Sequence, residues 1–356
     1  MIVLATDPSV PVRSRSRLPA GWTVCAPEAD DTAELTALVR RHEEWARGWA
    51  SSSEADVLVE ISETGRSNRH NVVLCDRDGR ARGWANAYDR ASGRMVLTVV
   101  VDPRLDDSLA DRTAEVLLEW AEEAAGKVGA GRRLTTQQID TGAFADDTRQ
   151  QRWLTTAGFE MMRRWWQMSR PVRTEDAAVP PLRPGVRIRL VERAGNGMPD
   201  EDDLRVVHDI LEDAFVNHFN SHAETFDEFL ARLREDPGHR WDHWWLAELV
   251  DGPTPQPVGT LVGSLVGAAG GDGSWTPTGS YVSYIGVLES ARGRGVAKSL
   301  LSTIIADAAA RGLGEVGLEV DADSPTGAEG LYLSMGWQTK YVTQSWHRDV
   351  PVPRQG

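Results

Sequence analysis

Residues Ser283–Leu301 read SYIGVLESARGRGVAKSLL, and the junction inside this stretch decides what the surrounding chain builds. An apolar, strand-like run ends near Val287, and helix propensity resumes at Val296. Arg292, Gly293, Arg294 and Gly295 fill the turn between them. Two readings fit these residues. A tight strand-to-helix connection uses glycine where the backbone turns sharply. An anion site uses the same glycines because missing side chains let successive N–H groups converge, and the positive end of the helix dipole adds attraction. Arg292 and Arg294 would then add charge-assisted contacts, Gly295 would permit close approach, and Ala297 keeps the first helical turn thin. The spacing is not Gly-x-Gly-x-x-Gly and lacks the Gly-Lys-Ser/Thr of a nucleotide P-loop.

The elements around the turn follow from hydrophobic periodicity. Before it, "GVRIRLVE" reads as a first strand, and "DDLRVVHDILEDAFVNHFN" and "TFDEFLARLRED" as amphipathic helices. "HWWLAELVD", "PVGTLVGSLVGAA" and "SYVSYIGVL" read as three further strands. After it come the helix "GVAKSLLSTIIADAAARG", the strand "EVGLEVDA", a helix around "TGAEGLYLSMG" and a last strand, "WQTKYVTQSWHRD". The first half repeats this order, from "GWTVCAPE" through "GRMVLTVVVDP" and "LADRTAEVLLEWAEEAAGK" to "RWLTTAGFEMMRRWWQMSRP". Val101 aligns with Val287 and Gly158 with Gly336, so an internal duplication is expected, with a mixed α/β or α+β domain used twice. Proline and charge are concentrated in Arg170–Ile188, which predicts a linker at 173–184 between a domain at 1–172 and one at 185–356.

Composition narrows the class. A chain of 356 residues suggests about two domains. No run approaches the roughly 18 apolar residues of a membrane span, and Asp7 and Pro8 interrupt the short apolar start, against a secretory signal. Two cysteines, Cys25 and Cys75, provide no metal or disulfide framework and suit a reducing cytoplasm. A formal net charge of -14 argues against nucleic acid and favours a cationic small molecule. Fourteen tryptophans read first as packing and second as lining for a substrate cleft. Monomer and homodimer are both compatible with these features.

The pattern Arg292-x-x-Gly295-x-Ala297, after a strand and before a long helix, resembles the acetyl-CoA pyrophosphate loop of the GNAT N-acetyltransferases. A second element matches in the right order: "LEVDADSPTGAEGLYLSMGW" resembles that family's strand, short helix and Leu-Tyr-x-x-x-Gly-aromatic ending. The tandem order is similar to that of mycothiol synthase and related two-domain acetyltransferases. The resemblance implies two tandem GNAT domains, each a mixed, mostly antiparallel sheet flanked by helices, with acetyl-CoA as co-substrate and no metal. It implies that N–H groups at Val287 and Leu288 polarise the thioester carbonyl, and that those from Gly293 through Arg294, Gly295, Val296 and Ala297 to Lys298 hold the pyrophosphate. Tyr332 takes the place of the general acid that protonates the departing thiolate, and Ser324 that of a cofactor-contacting asparagine.

The chemistry then needs a base to remove a proton from the ammonium form of the acceptor. Where many members have a glutamate, six residues before Val287, this chain has Tyr281. On an alternating strand Tyr281, Ser283, Ile285 and Val287 share one face, so Tyr281 would line the acceptor site. Glu212, Asp213, His218, His222 and Glu224 are the other candidates, and His218 suits the role best by type. In the first half a gap-free alignment from Val101 sets Asp106 opposite Arg292, Asp107 opposite Gly293, Leu109 opposite Gly295 and Asp111 opposite Ala297, and counting back four from Gly158 sets Leu154 opposite Tyr332. Acids in the turn repel a pyrophosphate, so the first domain is expected to be a degenerate copy. The expected activity is acetyl transfer to a primary amine of a small polar or cationic molecule, such as an antibiotic-like amine, an amino sugar or a mycothiol-type precursor. The alternatives are a CoA-binding sensor without turnover and a longer-chain acyltransferase.

Overall fold

The computed structural model describes residues 15–62, 68–90, 93–178, 180–193, 195, 198–216, 224–235, 239–269, 275–323 and 327–352. His218, His222 and Ser324 lie outside the described residues. Two compact units emerge. The first comprises Met1–Trp166, Asp321–Asp323 and Tyr341–Gly356, and the second Gln167–Val320 and Ser324–Lys340.

The first unit runs β1 (Thr23–Cys25), α1 (Thr32–Arg47), α2 (Glu54–Ile61), β2 (Arg69–Cys75), β3 (Ala81–Asp89), β4 (Arg94–Val101), α3 (Asp107–Gly131), β5 (Thr136–Phe144), α4 (Thr148–Thr156) and most of β6 (Glu160–Pro171). β1 to β4 pair antiparallel in sequence order, and β4 pairs parallel with β5. A parallel pair needs a crossover, and α3 supplies it. One face of α3, including Ala114, Leu117, Trp120, Ala121 and Ala125, is buried in a core with Val72, Leu74, Met95, Leu97 and Ile139.

The second unit repeats the plan with β7 (Val186–Leu190), α5 (Glu201–Phe215), α6 (Phe226–Glu235), β8 (His239–Leu249), β9 (Gln256–Ala269), β10 (Trp275–Val287), α7 (Val296–Ala310), β11 (Glu315–Asp321) and α8 (Ala328–Ser334). β7 to β10 pair antiparallel in sequence order, and β10 pairs parallel with β11. α5 and α6 bury Val207, Ile210, Leu211, Phe229 and Leu233 against Trp244, Leu246 and Val262. Val296, Leu300, Leu301, Ile304 and Ile305 are the buried residues of α7. The last strand, β12 (Gln338–Pro351), follows the second unit in sequence, yet Thr343–Pro351 pair antiparallel with β5 of the first.

The two copies match bond for bond at the end of the fourth strand. Gly83 pairs with Val101, and Gly259 with Val287. The next amide donates across the ladder in each, Asp102 to Arg82 at 2.8 Å and Leu288 to Val258 at 2.9 Å. They part company immediately afterwards. Asp106 is the N-cap of α3, five residues past Val101, whereas Gly295 is the N-cap of α7, eight past Val287. A 3-10 turn, Glu289–Ala291, accounts for the longer connection. The gap-free pairing of Asp106 with Arg292 is therefore corrected: Asp106 stands where Gly295 stands.

Candidate active site

The site of the second unit begins where two strands separate. β10 and β11 pair from Gly279–Glu315 to Val282–Leu318 and no further. At the same level β10 carries a bulge, because Val282 lies opposite Gly263 while Tyr284, two residues on, lies opposite Val262. The bulge corrects the expected face. Tyr281 pairs with Ser264 and Tyr284 with Val262, and Tyr284 packs with the core that α5 and α6 cover. Gly286 lies on that side too, since a Cβ there would meet Leu211 and Ala214. Val287 faces the opposite way, toward α7, because its partner Gly259 abuts Val296. Tyr281 and Val287 therefore do not share a face.

Ladder alternation also sorts the two backbone donors. The Leu288 N–H is committed to Val258, so the expectation that it meets a ligand is corrected. In an antiparallel pair the neighbouring amide points to the other edge, which for Val287 is the edge from which β11 has departed.

The turn that follows leaves several backbone amides open. Gly293 and Gly295 have φ of 76° and 78°, a left-handed conformation that glycine adopts without strain. The Arg292 and Arg294 amides close the turn on Glu289 and Ala291. Among the described residues the amides of Gly293, Gly295, Val296 and Ala297 have no protein acceptor, and Gly295 offers no side-chain cap. Unpaired donors at a helix N-terminus are the kind of group that binds an anion. Their arginine side chains turn elsewhere: Arg292 to Glu289 at 3.2 Å and Arg294 to Asp251. Lys298 is exposed in the first turn of α7. Sequence reasoning missed Arg183, which was read as linker; its Nη1 donates to the Gly293 carbonyl at 3.0 Å.

Tyr332 sits in α8, whose end explains the Leu-Tyr-x-x-x-Gly-aromatic pattern. Gly336 has φ of 94°, Trp337 donates to the Tyr332 carbonyl at 3.1 Å and Gly336 to Leu333 at 3.1 Å. This is a Schellman closure, and the Tyr332 and Trp337 rings meet edge-on with centroids 6.0 Å apart. Burial pushes the Tyr332 phenol above its ordinary pKa, so it holds its proton at neutral pH.

The carboxylates separate clearly. Glu224 is clamped by Arg232 Nε and Nη2 at 2.9 and 2.7 Å, and Arg232 also donates to Tyr284. Asp213 is exposed and Glu212 half-buried on α5. Glu319, which the sequence reading passed over, is the first residue of β11 beyond its last pair with β10. It shares a strand face with Gly317, which the Tyr281 ring covers: a Cβ on Gly317 would sit 3.0 Å from Tyr281 Cδ2. The residue is exposed, and the atoms packed about its carboxyl push its pKa up, against a hydrogen bond from Gln167 that lowers it.

The same region of the first unit is built differently. β3 and β4 run in unbroken register to Gly83–Val101, with no bulge. Thr141, at the last β4–β5 pair, donates its hydroxyl to the Leu97 carbonyl at 2.7 Å. The Asp106 carboxylate accepts from Leu109 N at 3.0 Å, and Leu154 is buried at the Tyr332 position.

Comparison with known proteins agrees with this architecture. The acetyltransferase (GNAT) family profile matches residues 204–337. A mycothiol acetyltransferase of Thermobispora bispora is 31% identical over 232 residues, covering 62% of this chain and 71% of that protein. Among solved structures, a GCN5-related N-acetyltransferase from Sphaerobacter thermophilus superposes with a TM-score of 0.73 at 23% identity, covering 95% of this chain and 99% of that one. A tandem GNAT protein from the clavulanic acid biosynthesis pathway gives 0.65 at 13%, covering 94% and 100%.

Proposed function

The chain belongs to the GNAT acetyltransferase family, and from that premise we propose that its second unit moves the acetyl group of acetyl-CoA onto a primary amine of a small polar or cationic molecule. The observation that carries this reading is the uncapped turn at Gly293–Ala297, set directly after the parting of β10 and β11. Unpartnered amides in a left-handed turn fit a diphosphate, and the second unit has them where the first has a carboxylate. Acetyl-CoA supplies the activated acyl group and a thiolate leaving group. The chain's own residues do the rest. The amides of Gly293, Gly295, Val296 and Ala297 hold the diphosphate. The Val287 N–H stabilises negative charge developing on the carbonyl oxygen. Glu319, whose pKa is raised by the atoms packed about its carboxyl, accepts the proton of the acceptor ammonium. Tyr332 keeps a proton ready for the leaving sulfur.

Glu319 thus takes the role left open at Tyr281, and Tyr281 shapes the face on which the amine rests. The first unit, with its turn filled from within, serves as scaffold. Two buried, unbridged cysteines accord with the cytoplasm. Because the curated relative is named a mycothiol acetyltransferase, a mycothiol-type precursor heads the acceptor panel, with amino sugars and antibiotic-like amines beside it. The test is thiol release from acetyl-CoA across that panel, together with thermal melts. Acetyl-CoA at millimolar concentration should raise the melting temperature; absence of a shift would overturn the cofactor assignment.

A further inference from the structure

We propose that Arg183, from the segment preceding the second unit's first strand, is a phosphate-binding residue of this site and contacts the diphosphate of acetyl-CoA. The inference rests on the reading of the turn given above. Arg183 is the cation whose side chain lies on the glycines themselves. Its Nη1 donates to the Gly293 carbonyl at 3.0 Å, and a Cβ built on Gly295 would sit 3.0 Å from its Nε and 3.1 Å from its Cδ. The two arginines inside the turn are engaged with Glu289 and Asp251, whereas Arg183 has no carboxylate partner among the described residues. Its remaining N–H groups are available for a fork-like contact with phosphate oxygens.

The backbone that carries it is held in place. Val186 N donates to the Arg183 carbonyl at 3.1 Å, and Val250 N to the Gly185 carbonyl at 2.9 Å. Upstream, the Thr174–Ala177 3-10 turn packs on α7, and Asp176 takes a bidentate pair from Arg170 at 2.9 and 2.8 Å. A side chain so anchored loses little freedom when a phosphate arrives.

The experiment uses the full chain with Arg183→Ala and Arg183→Gln. The glutamine variant keeps a donor for Gly293 but removes the charge, which separates phosphate contact from mere support of the turn. Expected are a roughly tenfold rise in the KM for acetyl-CoA in both variants, kcat within twofold of wild type, and a shallower dependence of KM on ionic strength. Wild-type affinity in Arg183→Gln would overturn the proposal while leaving the turn's assignment intact. Failure of the wild type to bind acetyl-CoA would overturn both. Repeating the series with 3′-dephospho-acetyl-CoA identifies the phosphate. A persistent penalty supports the diphosphate, and its disappearance would overturn that choice in favour of the 3′-phosphate.

Discussion

The Asp106 carboxylate accepts a hydrogen bond from the Leu109 amide at 3.0 Å, and so supplies from within the first unit a negative charge that the equivalent turn of the second lacks. Gly295 is the equivalent N-cap and has nothing to offer. Gly295→Asp should therefore convert the second turn to the character of the first and abolish thermal protection by acetyl-CoA. Asp106→Ala should cost about 1 kcal/mol of stability through the lost cap and leave that protection unchanged. Reversed results would place the cofactor in the first unit.

Tyr332→Phe should lower kcat by about tenfold or more with little change in KM for acetyl-CoA. Its ring already packs against Trp337, so the variant keeps its fold. Burial raises the phenol's pKa, and no alkaline loss of activity from this group is expected below its ordinary value near 10. An unchanged rate in the variant would remove Tyr332 from the acid role.

Glu319 predicts opposite effects on rate and stability. Its folded pKa lies above its unfolded value, so the folded state binds the proton more tightly. The stability it contributes is full below the unfolded pKa and is lost as pH rises through the folded one. Glu319→Gln should therefore raise the melting temperature at pH 8 relative to wild type, with no gain at pH 4. The same variant should lose about 10²-fold or more in kcat/KM and the acidic limb of its pH profile. A retained acidic limb would assign the base elsewhere.

Asp203 predicts the reverse pH sense without any effect on the cofactor. Arg189 donates to it at 2.6 and 2.7 Å and the Glu192 amide at 2.8 Å, and Arg189 first among these holds its carboxyl below the usual range. That contribution is present above the unfolded pKa near 3.9 and lost as pH falls through the depressed folded value. Asp203→Asn should lower the unfolding free energy at pH 7 by about 1–3 kcal/mol, read from denaturant melts, and narrow the gap to wild type under acid. The shift with acetyl-CoA should stay as in wild type.

Some of this was legible in the residues and some was not. Gly293 and Gly295 announce a left-handed turn wherever they occur between strand and helix, and Gly336 with Trp337 announces a Schellman end. These are local rules, and local rules survive without a structure. The bulge between Val282 and Tyr284 is different, because nothing in SYVSYIGV distinguishes eight regular residues from seven and an extra one; only pairing with β9 decides it. Glu319 is an ordinary outward position in the alternation of EVGLEVDA, and only the pairing shows that β10 leaves β11 one residue earlier. Arg183 lay in a stretch whose prolines read as a linker, and its meaning comes from a carbonyl 110 positions away in the chain. The acids of the first turn are plain in the sequence, but their offset of three residues needs both helix starts to be seen.

The pairing of β12 with β5 has a kinetic side. Thr141 and Trp346 are neighbours across that ladder, so the first unit's sheet closes only with residues that leave the ribosome after the whole second unit. The portion translated first must wait, with the strand edge of β5 unsatisfied, while the later portion is made and folds. Such long-range closure is slow, and an open strand edge invites pairing with other nascent chains. Expression at reduced temperature, where synthesis slows and association weakens, should therefore improve soluble yield more for this chain than for one whose units close in the order they emerge.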